Sequence, residues 1–232
     1  MREQIKKNID EITHKASQAF ENRGIEGKLT ILAATKSVTP EDINFAASCG
    51  ITHIGENRVQ ELLAKYPHLD PSLNIHFIGK LQTNKVKYII DKVCLIHSVD
   101  NLRLASEINR QGKKRNITMD ILLEVNIAEE ESKSGISPNA LWELAEQVME
   151  MENIRVRGLM TMGPVCHSEK DYEKYFSKMY DFFIDFSEKK VHNIEKEKIP
   201  APALLSMGMS DSFIPAINCG ANIVRVGSAI FK

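Results

Sequence analysis

A chain of 232 residues can bury one substantial core, and its 30 basic and 31 acidic side chains cancel to a formal charge of −1. With no strong field of one sign it is poorly suited to gather nucleic acid or an anionic membrane, and no apolar run reaches the roughly 18 residues of a membrane span. Cys49, Cys94, Cys166 and Cys219 stand apart with no C-x-x-C pair, and the seven histidines are scattered, which argues against a metal site and for reduced thiols in a cytoplasmic protein.

In chain order, the N-terminal segment is charged and amphipathic, without the apolar centre of a signal peptide, and predicts a helix near Arg2–Glu21. The first apolar run, Leu29–Thr35, stops at Lys36 and the polar turn Ser37–Pro40. Thr39 is placed to cap a helix that opens at Pro40 and ends at Gly50. A weak strand, His53–Gly55, leads into the helical segment Asn57–Lys65, which closes before Pro67. Strand Ile75–Gly79 precedes helix Thr83–Asp91. Strand Cys94–Ser98 precedes helix Asn101–Gln111, and the basic run Gly112–Arg115 reads as a solvated loop. Strand Met119–Asn126 comes before helix Pro138–Met151, with Ser137 as its cap. Strand Val156–Met162 comes before the longest helix, Glu169–Lys190, and a charged surface connection over Lys189–Pro200. Finally Ala203–Ser206 and Ile223–Val226 flank a helix over Ser210–Cys219 that stops at Gly220.

Eight buried runs alternating with helices predict a (β/α)8 TIM-type barrel forming one domain over residues 1–232, with a doubly wound open sheet as the alternative. Only six residues follow the last strand, so the N-terminal helix is expected to fill the place of an eighth outer helix. Chemistry in such a barrel collects at the carboxyl ends of the strands. Those ends carry Lys36, Glu56 and Asn57, His76 and Gly79, Ser98, Asn126, Thr161, Ser206, Arg225 and Gly227.

Lys36 is the candidate nucleophile. A low-dielectric wall at a strand end would favour the neutral amine, which can form a Schiff base with a carbonyl, although an isolated lysine more often snorkels. The C-terminal motifs Ser206–Ser210 (SMGMS) and Arg225–Ser228 (RVGS) look like a phosphate cradle on the loops after strands seven and eight. Gly208 and Ser210 would open a helix there, and Gly227 would let the backbone and Ser228 approach the anion. The alternative for Ser210 is a plain cap, and Met207 and Met209 read as packing residues. Arg225 and Gly227 share one face of strand eight, so Arg225 points inward, toward the nitrogen of a bound ring or into an ion pair with Glu56 or Glu124. A Schiff-base lysine facing a phosphate cradle suggests pyridoxal 5′-phosphate.

The blocks Ala33–Ser37 (AATKS), His53–Glu61 (HIGENRVQE), His76–Lys85 (HFIGKLQTNK), Arg157–Met162 (RGLMTM), Ser206–Ser210 and Val224–Phe231 (VRVGSAIF) stand in order along essentially the whole chain. Together they resemble the pyridoxal phosphate homeostasis proteins, single-barrel relatives of the alanine racemase N-terminal domain. The resemblance implies an internal aldimine on Lys36, Asn57 near the ring, a phosphate held by Ser210, Gly227 and Ser228, Arg225 at the ring nitrogen, and Ser206 and Met207 lining the pocket. It implies supply of the cofactor to apoenzymes without established turnover. Four positions depart from the pattern: Arg58 replaces a usual aromatic, Ser212 a common acid, Ser228 a threonine and Lys232 a final glycine. A racemase reading lacks the second base that a further β domain would bring. A sugar-phosphate aldolase reading leaves Arg225 without a task. A monomer is expected, since no large apolar surface helix stands out.

Overall fold

The computed structural model describes residues 1–24, 27–130, 133–193 and 203–232. The strands are β1 (Thr30–Ala34), β2 (His53–Glu56), β3 (Asn74–Phe77), β4 (Leu95–Val99), β5 (Met119–Glu124), β6 (Ile154–Met160), β7 (Leu204–Ser206) and β8 (Ile223–Val226). All are parallel and neighbour one another in sequence order, and β1 pairs with β8 (Leu32 beside Arg225), so the sheet is a closed barrel. That closure rules out the open doubly wound sheet.

The outer layer holds α1 (Arg2–Asn22), α2 (Pro40–Ser48), α3 (Val59–Lys65), α4 (Val86–Ile89), α5 (Leu102–Arg115), α6 (Leu141–Met149), α7 (Glu169–Asn193), α8 (Phe213–Asn218) and the single turn α9 (Ser228–Phe231). Thr39 caps α2 by accepting the Asp42 amide, and Asn101 caps α5 by accepting that of Leu104. In α1, Ile5, Ile9, Ile12, Ala16 and Ala19 recur at helical spacing and are buried. The helix packs against α2, α8 and α9, and Asn8 donates to the carbonyls of Ile230 (3.0 Å) and Lys232 (3.2 Å). It thus occupies the expected place, beside a C-terminal turn that the chain still accommodates.

Two expectations are corrected. Gly112–Arg115 is the last turn of α5 rather than a loop: its cations sit at the negative end of the helix dipole, and Asn116 closes it at φ +54°. The helix after β7 begins at Phe213, not Ser210. The connection expected over Lys189–Pro200 is helical to Asn193, and residues 194–200 lie outside the described ones. Among the described residues no helix is long and apolar enough to cross a membrane.

The main core lies between sheet and helices. A smaller cluster fills the barrel: Leu32, Ile78, Leu95, Leu122, Met160 and Ile223, with Ala34 and Leu204 against it. The polar interior residues sit beside this cluster.

Candidate cofactor-binding site

Side-chain parity along the strands decides what reaches the barrel interior. Leu32 and Ala34 belong to the interior cluster, and the same face of β1 leads on to Lys36 at the carboxyl-end rim. Lys36 is exposed there, so the low-dielectric wall expected around its amine is absent. Its backbone is nevertheless anchored. Ser37 takes φ +60°, and Thr35 just before it accepts at its carbonyl from Lys65 Nζ (2.8 Å). Glu56 is fully buried between β2 and α3 and accepts from the same Lys65 Nζ (2.8 Å) and from Thr35 Oγ1 (2.6 Å). Glu56 therefore faces outward and fixes the β1 end; it does not face the site.

Arg225 is buried inside the barrel. Its Nη1 donates to Ser206 Oγ at 2.7 Å and its Nη2 to the Thr161 carbonyl at 2.9 Å. Neither carboxylate weighed as its partner reaches it, because Glu56 is taken by Lys65 and Glu124 accepts from Ser134 Oγ at 2.6 Å. Burial pushes the guanidinium down to about 10, with the field of Glu124 opposing. The ion-pair reading fails: Arg225 is a buried cation held by neutral groups alone. Such a charge is expensive unless something further compensates it.

Beside it lies the segment expected to form the cradle. A Cβ on Gly227 would stand 3.0 Å from the Ala34 carbonyl, so glycine lets the ends of β8 and β1 touch, two residues before Lys36. Ser210 Oγ accepts the amides of Gly227 (3.2 Å) and Ala229 (3.4 Å), tying the loop after β7 to the turn after β8 and leaving its own hydrogen to donate. Ser210 is therefore a loop clamp rather than a residue at a helix start. The Met209–Ser212 turn closes on itself, with Ser212 Oγ accepting the Met209 amide (3.1 Å). Ser212, standing where an acid is common, thus keeps an acceptor in place.

Other expected residues separate. The Met207 side chain is fully buried in the core between barrel and helices with Phe213 and Ala216; Met209, expected to pack, is exposed. Ser206 is buried beneath Arg225, which it supports. Asn57 follows β2, half-buried, and lines an open cavity of about 230 Å³ with Arg58, Lys80, Gln82 and Lys85. Lys36, Ser210 and Arg225 do not line that cavity. A methyl on Gly79 would collide with the Asn57 carbonyl, so glycine is what lets the loop after β3 pass beneath it.

Three histidines that look scattered in sequence converge inside the barrel. His53 Nδ1 lies 2.9 Å from His76 Nε2, His76 Nδ1 lies 2.9 Å from His97 Nε2, and His97 Nδ1 lies 3.0 Å from Ser206 Oγ. Burial lowers all three imidazoles, His76 to about 3. The sequence signal was parity: His76 shares its strand face with Ile78 and His97 with Leu95, both interior residues.

This geometry agrees with what the chain matches. Residues 4–232 fit the family model of the alanine racemase N-terminal domain. A pyridoxal phosphate homeostasis protein of Aquifex aeolicus is 43% identical over 225 residues, covering 96% of this chain and 95% of that one. The chain belongs to the pyridoxal phosphate homeostasis protein family. Two solved structures extend the family likeness. An unknown protein from Bifidobacterium adolescentis superposes with a TM-score of 0.90 at 33% identity, covering 99% of this chain and 95% of that one. PipY of Synechococcus elongatus, with PLP bound, gives 0.79 at 27% identity, covering 94% of this chain and 100% of that one.

Proposed function

We propose that this protein holds pyridoxal 5′-phosphate at the carboxyl-end rim and serves in homeostasis of that cofactor, carrying it to apoenzymes without turning over a substrate. The observation that carries the reading is Arg225, a buried cation bonded to no carboxylate, inside the barrel on the strand beside β1, level with Leu32 and below the Lys36 rim. A ring nitrogen offers that guanidinium an acceptor, so the residues present fit the group. The name of the Aquifex relative and the PLP held by PipY support the same reading.

Lys36 Nζ would carry the cofactor as a Schiff base, with one water released. Ser210, Gly227 and Ser228 would hold the phosphate through hydroxyls and backbone amides, and Asn57 would flank the ring. When bound, the group supplies an electrophilic carbonyl and an electron-accepting ring. Arg225 donates hydrogen bonds but gives up no proton at neutral pH, so it leaves the ring nitrogen unprotonated and the ring a weak electron sink. That suits a carrier better than a catalyst. We also take the protein to act as a single-domain monomer in the cytoplasm.

A racemase is the second reading. It needs a second base on the opposite face of the ring, which related racemases take from a further β domain. The absorption spectrum after reconstitution with pyridoxal phosphate is the test. A yellow band that is fixed by borohydride and lost in Lys36→Ala is expected; a colourless reconstituted wild type refutes the proposal. Exchange of the α-proton of alanine at about 1 per second or faster would favour the racemase.

A further inference from the structure

Arg225, Ser206, His97, His76 and His53 form one unbroken line of hydrogen bonds through the barrel, from the upper part of β8 to the first residue of β2. The links from Arg225 to His76 are buried; His53 at the lower end is half-exposed. At a nitrogen–nitrogen separation of 2.9 Å, each histidine–histidine contact holds one shared proton. A neutral imidazole has a single N–H, so the whole line must point one way or the other.

Arg225 breaks the tie. Its Nη1 can only donate, so Ser206 Oγ accepts from it. If His97 Nδ1 also donated to Ser206, the serine hydrogen would need another acceptor, and none is present among the described residues. The serine therefore donates to His97 Nδ1. His97 must then carry its proton on Nε2 and donate to His76 Nδ1, and His76 must carry its proton on Nε2 and donate to His53 Nδ1. His53 is left with its own N–H on Nε2.

We propose that Ser206, His97, His76 and His53 are positioning residues: they form a one-directional hydrogen-bond relay that fixes the Arg225 guanidinium by neutral acceptors alone and leaves its full positive charge for the cofactor. A carboxylate in the place of Ser206 would hold the arginine equally firmly but neutralise it. The line stays neutral because a second cation would sit in the barrel beside Arg225. The charged groups acting on it are Arg225 at His97, Lys28 at His53 and, on Arg225 itself, Glu124. This inference deepens the proposed role of Arg225 toward the ring nitrogen, but the direction of the relay is a property of the protein without cofactor.

The test is therefore made first on cofactor-free protein labelled with ¹⁵N-histidine, using long-range ¹H–¹⁵N correlation to read each ring. His76 and His97 are expected as neutral Nε2–H tautomers from about pH 5.5 to about pH 8. An Nδ1–H tautomer, or an imidazolium, at either residue overturns the proposal. Ser206→Ala is expected to release the lock, giving mixed or reversed tautomers, and Ser206→Thr to restore it. Tautomers unchanged in Ser206→Ala would mean a merely structural stack and also overturn it. With pyridoxal phosphate added, Ser206→Ala should weaken binding roughly tenfold and Ser206→Thr should not, about the loss of one charge-assisted hydrogen bond. Failure of the wild type to take up the cofactor sinks the carrier reading while leaving the tautomers readable.

Discussion

Acidification from about pH 7.5 to about pH 5 probes the buried histidines directly. His76 is held neutral by burial down to about 3, against an ordinary 6.5, and burial lowers His97 in the same direction. In the unfolded chain both titrate near 6.5. The unfolded state therefore binds more protons over this window, so stability is full above about 6.5 and is lost as the pH falls toward 3. At about pH 5 the native His76 ring is still neutral, and the same ring in the unfolded chain has gained about 1.5 pH units of protonation free energy, or ~2 kcal/mol. His97, lowered in the same direction, adds to this loss. Glu124 pulls the other way, because burial raises its carboxyl and acid then favours the folded form. With a urea slope of about 3 kcal/mol per molar, the midpoint of cofactor-free protein should drop by roughly 1 M between the two pH values. His76→Leu should begin at a lower midpoint and show a shallower acid dependence. A wild-type midpoint that does not move between pH 7.5 and pH 5, within roughly 0.2 M, would refute the reasoning, because the two rings would then not be held neutral.

Two further substitutions separate the supports of the site. Lys65→Met leaves the fully buried Glu56 carboxylate without its cation at 2.8 Å and frees the Thr35 carbonyl just before Lys36. A loss of about 3–5 kcal/mol in urea unfolding is expected, and less than about 1 kcal/mol would show that the Lys65–Glu56 pair does not anchor the end of β1. Ser210→Ala removes the acceptor shared by the Gly227 and Ala229 amides, so pyridoxal phosphate affinity should fall by roughly tenfold or more with the yellow band still formed on Lys36. Unchanged affinity in a spectroscopic titration would remove Ser210 from the phosphate site.

Local pattern was enough to locate the barrel and the carboxyl ends of its strands. Apolar runs of four to eight residues at regular intervals can be buried on both faces only in a parallel sheet with helices outside, and Lys36 and the Gly227–Ser228 turn directly follow such runs. The position of the N-terminal helix was legible for the same reason: a closed ring of strands needs its outer surface covered all the way round. What remained hidden was every contact across the barrel. Parity says that His76, His97, Ser206 and Arg225 face inward, but which inward groups meet depends on the stagger of the strands, and no single strand carries that information. Glu56 looked like a site residue because it ends a strand, yet parity turns it outward to Lys65, while its neighbour Gly55 faces the interior residues Leu32 and Ile78. Met207 was likewise turned into the outer layer by one step of the same alternation. The start of α8 was misjudged because Ser212, not Ser210, closes the preceding turn, a choice that rests on one hydrogen bond to the Met209 amide. The partners of Arg225 were decided last and farthest from local pattern. Once Lys65 and Ser134 engage the two carboxylates, Ser206 and the Thr161 carbonyl are what the guanidinium bonds among the described residues, and no carboxylate neutralises it by contact.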